Sequence, residues 1–234
     1  MGIEVWESRG ALPDDVPVVS APPAGAAASP VPVAPPATRP VTGSIEALDW
    51  EALAACVAVC RECALHETRT QAVFGVGARQ ADWLVIGEAP GAEEDRRGEP
   101  FVGRAGQLLN AMLAAVGLAR EQVYIANILK CRPPQNRDPK PEEALACSSY
   151  LARQVALVEP RIILAVGRIA AQNLLHTETP IGRLRGKVHA YGERAIPLVV
   201  TYHPAYLLRS PGEKGKAWSD LLLARATVEA ELRT

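Results

Sequence analysis

Four short, unbroken apolar segments constrain what this chain can fold into more than any other feature. They are WLVI at 83–86, VYIA at 123–126, IILAV at 162–166 and LVVT at 198–201. Each is too short for a core helix, and none alternates apolar with polar residues, so each reads as a strand covered on both faces. Helical patterns lie between them. Ala105, Leu108, Leu109, Met112, Leu113 and Val116 share one helical face, and Gly117 supplies a stop. Pro141 opens a second helix through about 158, ahead of Pro160, and residues 168–175 and 217–232 read as two more. Ser44 is expected to cap a leading helix over 45–59, where Leu48, Leu53, Cys56 and Cys60 keep near-helical spacing. Strands alternating with helices imply an α/β fold, a three-layer α/β/α sandwich around a central four-stranded, mainly parallel sheet. In such a sheet, binding groups collect beyond the carboxyl ends of the strands.

The opening of the chain obeys different rules. Nine of the 20 prolines fall within residues 1–45, beside an alanine-rich run over 21–37 and only six charges. That composition buries too little apolar surface to offset its ordering entropy. Residues 1–44 therefore read as a disordered tail, and 45–234 as one folded domain. No window approaches the roughly 18 uninterrupted apolar residues of a membrane span. The start, MGIEVWE, has neither the basic nor the apolar region of a secretion signal. A cytoplasmic, reducing location without membrane association is the expectation. There, five cysteines point to metal binding or catalysis rather than disulfides. The net charge of −1 carries no bulk nucleic-acid signature, so any such contact must come from local patches.

Three strands are followed by polar, turn-prone loops: GEAPGAEED at 87–95, NILKCRP at 127–133 and YHPAYLLR at 202–209. Loops carrying Glu88, Asn127 and His203 on one rim point to a site. His66, His176 and His189 lack such a setting and read as solvated or structural. Cys60 and Cys63 are two residues apart, while fifteen residues separate Cys131 from Cys147. Four thiolates could hold zinc or an iron–sulfur cluster, and buried apolar cysteines are the plain alternative. The wide second pair favours a cluster over zinc. Cys56, on the same helical face as Cys60, reads as a core residue.

In combination, these loops and the Cys60, Cys63, Cys131, Cys147 set resemble the type-4 uracil-DNA glycosylases, the iron–sulfur members of the uracil-DNA glycosylase superfamily. The resemblance runs from about Leu48 to Ala226. It implies a DNA repair enzyme that flips uracil out of single- or double-stranded DNA and hydrolyses its N-glycosidic bond, leaving an abasic site. It also implies a 4Fe-4S cluster on the four cysteines. Phe101 matches the residue that stacks on uracil, and Asn127 the amide that reads its O4 and N3–H. His203 matches the histidine that binds O2 as charge builds there. Gly87, Glu88 and Ala89 match the segment that contacts uracil largely through backbone. The best-known uracil glycosylases carry Asp in place of Ala89 and Tyr in place of Gly91; type-4 members lack both. Glu88, with His203, is thereby the expected catalytic pair, and Glu94 is a candidate for excluding the thymine methyl.

DNA contacts are expected from Lys130, Arg132, Arg185 and Arg209, with Leu207 or Leu208 wedging into the vacated stack. The protein is expected to be a monomer, with the tail at most a tether to a repair or replication partner. Two other readings compete. One is a relative that captures uracil-containing DNA covalently through a histidine in a basic insert. The matching stretch here, GRLRGKVH at 182–189, is no such insert. The other is a non-catalytic, zinc-containing DNA-binding module.

Overall fold

A computed structural model describes residues 44–231. Apart from Ser44, the expected tail lies outside the described residues, as does the expected last turn at 232.

Six strands form one sheet: β1 (Val76–Gly77), β2 (Trp83–Gly87), β3 (Tyr124–Asn127), β4 (Ile162–Val166), β5 (Val188–Tyr191) and β6 (Ile196–Thr201), in the order β1-β3-β2-β4-β6-β5. The four expected strands make the parallel core of the sheet, with β2 between β3 and β4, and β6 beyond β4. The expectation of four strands is corrected to six. Short β1 and β5 close the two edges, each antiparallel to its neighbour. Their sequences gave no strand signal: β1 is two residues long, and β5 is half-exposed on an edge.

The unbroken apolar strands are explained by their two faces. Leu84, Ile86, Tyr124, Ala126, Ile163, Ala165, Leu198 and Val200 pack with α4 (Pro141–Val158) and α5 (Arg168–Leu174). Val85, Ile125, Leu164, Val166 and Val199 pack with α3 (Arg104–Ala115), α7 (Pro204–Arg209) and α8 (Lys214–Glu231). Alternate residues of one strand thus serve two cores, which gives the sandwich its three layers.

The leading helix is shorter than expected. A one-turn 3-10 segment at Ile45–Ala47 precedes α1 (Trp50–Val59), and Asp49 rather than Ser44 caps it, accepting from Ala52 N at 2.9 Å. Leu53 and Val57 of α1 pack with Leu48 on Tyr150 of α4, a small third core that brings the first cysteine pair towards the second. Two further short helices complete the domain, α2 (Ala92–Arg97) and α6 (Ile181–Leu184). None of the described helices is long and apolar enough to cross a membrane.

Candidate active site

The carboxyl ends of β2, β3, β4 and β6 open onto one pocket of about 750 Å³. Glu88, Ala89, Phe101, Asn127, Gly167 and His203 line it together. Gly87 sits just beneath, in register with Asn127. Sequence reasoning named all of these but Gly167.

Each side chain is held by identifiable local chemistry. Asn127 ends β3 and is 2% exposed, and its Oδ1 has no hydrogen-bond partner. Leaving a buried acceptor unpaired costs roughly 1–3 kcal/mol, so an orphan aimed at a pocket marks a place for a donor from a ligand. The loop beyond is tied to its neighbour: Ile128 N donates to Gly87 O and Leu129 N to Glu88 O, both at 3.0 Å.

Phe101 adopts a left-handed backbone with φ of 54°, which strains a residue with a Cβ. Arg120 holds that turn, donating to Pro100 O at 2.6 Å and to Phe101 O at 3.4 Å. Glu94 holds its other side, accepting from Gly91 N at 3.1 Å, Val102 N at 3.0 Å and Gly103 N at 3.2 Å. Glu94 also lines the pocket, and three amides fix its carboxylate there. So braced, the Phe101 ring lies 5.6 Å from that of His203, tilted by 30°.

His203 precedes α7. Its Nδ1 accepts from Ala205 N at 3.1 Å, so Nδ1 carries no proton and the neutral ring keeps its hydrogen on Nε2. Burial, reinforced by Arg209, pushes the imidazole down to about 4, although Glu94 pulls the other way. Glu88 moves oppositely. Burial first, then the nearby Asp138 charge, pushes its carboxyl up to about 7 against the pull of Arg168.

The cysteines converge at a second place. Cys60, Cys63, Cys131 and Cys147 line one small cleft with Arg69, Lys130, His66 and Tyr150. Arg69 Nη1 donates to Cys131 Sγ at 2.8 Å. Burial pushes the Cys147 thiol up to about 11 and raises that of Cys131. Among the described residues, no three His, Cys, Asp or Glu side chains are grouped to hold a metal ion. Cys56 packs with the small third core and is absent from the cleft, as expected of it. His66, expected to be solvated or structural, is on the cleft wall with Nδ1 2.8 Å from Cys63 O.

The expected DNA contacts need correction. Lys130 is 1% exposed: its Nζ donates to Asn127 O at 2.8 Å and to Gln154 Oε1 at 2.5 Å, so it cannot reach a phosphate. Leu207 is buried in the core beneath α7, and of the two leucines only Leu208 is exposed. Arg185 is committed to buried Asp220, with Nε and Nη2 at 3.0 and 2.7 Å from Oδ2. Arg132 and Arg209 keep accessible heads, Arg132 partly engaged with Asn136 at 2.8 Å. Arg120, Arg69, Gln154 and Tyr202 were missed. Only Tyr202, beside His203, had a signal in its position.

Residues 74–222 match the profile of the Uracil DNA glycosylase superfamily. The chain is 49% identical over 168 residues to the type-4 uracil-DNA glycosylase of Archaeoglobus fulgidus, covering 69% of this chain and 84% of that one. The type-4 enzyme of Pyrobaculum aerophilum is 41% identical over 183 residues, covering 75% and 93%. That of Sulfurisphaera tokodaii is 45% identical over 159 residues, covering 65% and 72%.

Proposed function

From the premise that the chain belongs to the uracil-DNA glycosylase superfamily, and to its type-4 branch, we infer that it excises uracil from DNA as a repair glycosylase. The observation that carries this reading is the buried, unpartnered Asn127 Oδ1 facing the pocket shared with Phe101 and His203. Uracil supplies what that oxygen lacks. Its N3–H donates to Oδ1 while the amide Nδ2 donates to O4, a pairing that cytosine reverses. The Phe101 face stacks on the ring, worth roughly 1–3 kcal/mol.

Breaking the C1′–N1 bond leaves the electron pair on uracil, spread towards O2, and positive character on the sugar. His203, neutral at physiological pH, donates from Nε2 to O2 and stabilises the anion without giving up its proton. A water attacks C1′. Glu88, whose carboxyl burial pushes up to about 7, orients that water, accepts its proton and supports the cationic sugar. Gly87, without a side chain, lets the Asn127 amide and the Phe101 ring come close to its backbone.

Four cysteines on one cleft, with Arg69 donating to Cys131 Sγ at 2.8 Å and Lys130 beside them, suit an all-thiolate 4Fe-4S cluster, a reading that the likeness to type-4 enzymes supports. Cys60, Cys63, Cys131 and Cys147 would hold it, and it would supply a structural cross-link between the end of α1, α4 and the loop after Asn127. Brown protein with broad visible absorbance supports the cluster; colourless protein overturns it.

The reading is tested by incubating the protein with a labelled oligonucleotide bearing one uracil, then cleaving abasic sites with alkali. Strand scission with uracil and none with thymine is expected. Intact uracil strands, single or paired with guanine, overturn it. A protein–DNA adduct stable to denaturation would favour the covalent relative instead.

A further inference from the structure

The pocket is larger than one pyrimidine needs, at about 750 Å³, and its lining continues past the base-reading wall to Tyr202, Tyr206 and Arg209. These three are organised. The Tyr202 and Tyr206 rings lie 5.1 Å apart, tilted by 44°. Arg185 Cζ lies 4.9 Å from the Tyr202 centroid. Arg185 is itself fixed by Asp220, which is fully buried and also accepts from Gly186 N at 3.2 Å. A buried ion pair therefore backs Tyr202, and Tyr202 backs Tyr206. At the outer end, Tyr206 is 37% exposed, and Arg209 stands one turn further along α7.

An aromatic face held rigid by its own support, left open to solvent beside a cation, is the chemistry that binds single-stranded nucleic acid: bases stack and phosphates pair. Its place matters as much. Tyr206 follows His203 by three residues along α7, a rise of about 1.5 Å per residue. The platform thus stands about 4.5 Å along the helix from the residue that touches the flipped base, within reach of the next nucleotide. The rigid backing means little side-chain entropy is lost on stacking.

We propose that Tyr206, backed by Tyr202 and the Arg185–Asp220 pair, is a stacking platform for the nucleobase adjoining the flipped uracil, and that Arg209 takes the phosphate between them. The proposal rests on reading the pocket as a uracil site. It gives Arg185 a supporting role in place of a phosphate contact and assigns a base-binding role to an exposed tyrosine.

The test uses three single-stranded oligonucleotides with one uracil each: unmodified, with an abasic spacer on its 5′ side, and with the spacer on its 3′ side. For the parent protein, one of the two spacers is expected to lower kcat/KM about 5- to 160-fold, the range that one stacked base supplies. Tyr206→Ala should lose a similar factor on the unmodified strand and become indifferent to that spacer. Tyr206→Phe should restore both rate and spacer sensitivity, and inhibition by free uracil should persist in Tyr206→Ala. The proposal is overturned if neither spacer affects the parent protein, or if Tyr206→Ala keeps the full spacer penalty. Failure of the parent to excise uracil from the unmodified strand would instead overturn the reading of the pocket.

Discussion

Replacing Gly87 with alanine puts a methyl group at the tightest point of the proposed uracil site. A Cβ built there stands 2.5 Å from Asn127 Oδ1 and 2.6 and 2.7 Å from Phe101 Cζ and Cε2. Carbon contacts are comfortable only from about 3.5 Å, so the ring and the amide must each retreat by roughly 0.8–1 Å. The backbone has little room to give: Gly87 is paired in register with Asn127, and its carbonyl accepts from Ile128 N at 3.0 Å. Both groups proposed to hold the base are therefore displaced at once, each away from the new methyl. A misplacement near 1 Å costs on the order of 100-fold in rate, or about 2.7 kcal/mol of transition-state stabilisation. Overpacking adds roughly 1–3 kcal/mol of folding cost, which lowers Tm without abolishing the fold. Single-turnover excision from a uracil oligonucleotide, well below Tm, measures the first effect, and a melting curve the second. Gly182→Ala is the control, since a Cβ there meets nothing within 4 Å. A Gly87→Ala rate within threefold of the parent would refute the claim that Phe101 and Asn127 jointly read the base.

Three further outcomes follow from the same geometry. Asn127→Asp should lose at least about 100-fold in uracil excision, because a carboxylate cannot donate to O4 and a site built on paired hydrogen bonds discriminates strongly; single-turnover rates check it. Excision should rise with pH through about 7 as Glu88 ionises, Glu88→Gln should remove that inflection, and Asp138→Asn should move it lower by deleting a neighbouring negative charge; a pH–rate profile of kcat/KM reads all three. Lys130→Met should lower Tm, by about 1–3 kcal/mol of lost buried hydrogen bonding, yet leave the salt dependence of DNA binding unchanged. A flatter salt slope, measured by titrating affinity against salt, would return Lys130 to the phosphate contacts.

What the sequence disclosed and what it hid divide along physical lines. The parallel strands were legible because a strand buried on both faces must be apolar throughout. The edge strands were not, since β1 is only two residues and β5 exposes half its side chains. Of the residues that line the pocket, Glu88, Asn127 and His203 were legible as polar exceptions at the ends of apolar runs. Their supports were not, because an arginine that braces a strained turn looks like any surface arginine. Arg120 lies 19 residues from Phe101, whose backbone it holds. Lys130 shows the same blindness in reverse: a lysine among basic residues suggested phosphate, but burial recruits it to Asn127 O and Gln154. Leu207 and Leu208 are adjacent and chemically identical, and the helix alone decides which one packs inward.

Burial also separates the two titratable groups at the centre of the pocket, and the separation has a direction that suits the chemistry. The same loss of solvent that raises Glu88 lowers His203, because it penalises the charged form of each. For His203 the folded value lies below its ordinary 6.5. Its contribution to stability is therefore complete above about 6.5 and lost as pH falls through about 4, where protonation must enter a buried ring whose Nδ1 already accepts from Ala205 N. For Glu88 the sign reverses: stability is greatest below its ordinary 4.5 and declines as pH rises through about 7. At pH 7 the site thus holds a histidine that can only donate from Nε2 and a carboxylate poised to take a proton. A leaving uracil needs a donor that does not compete for the proton, and an attacking water needs an acceptor near its working pH. One partly desolvated pocket supplies both by acting oppositely on an acid and a base.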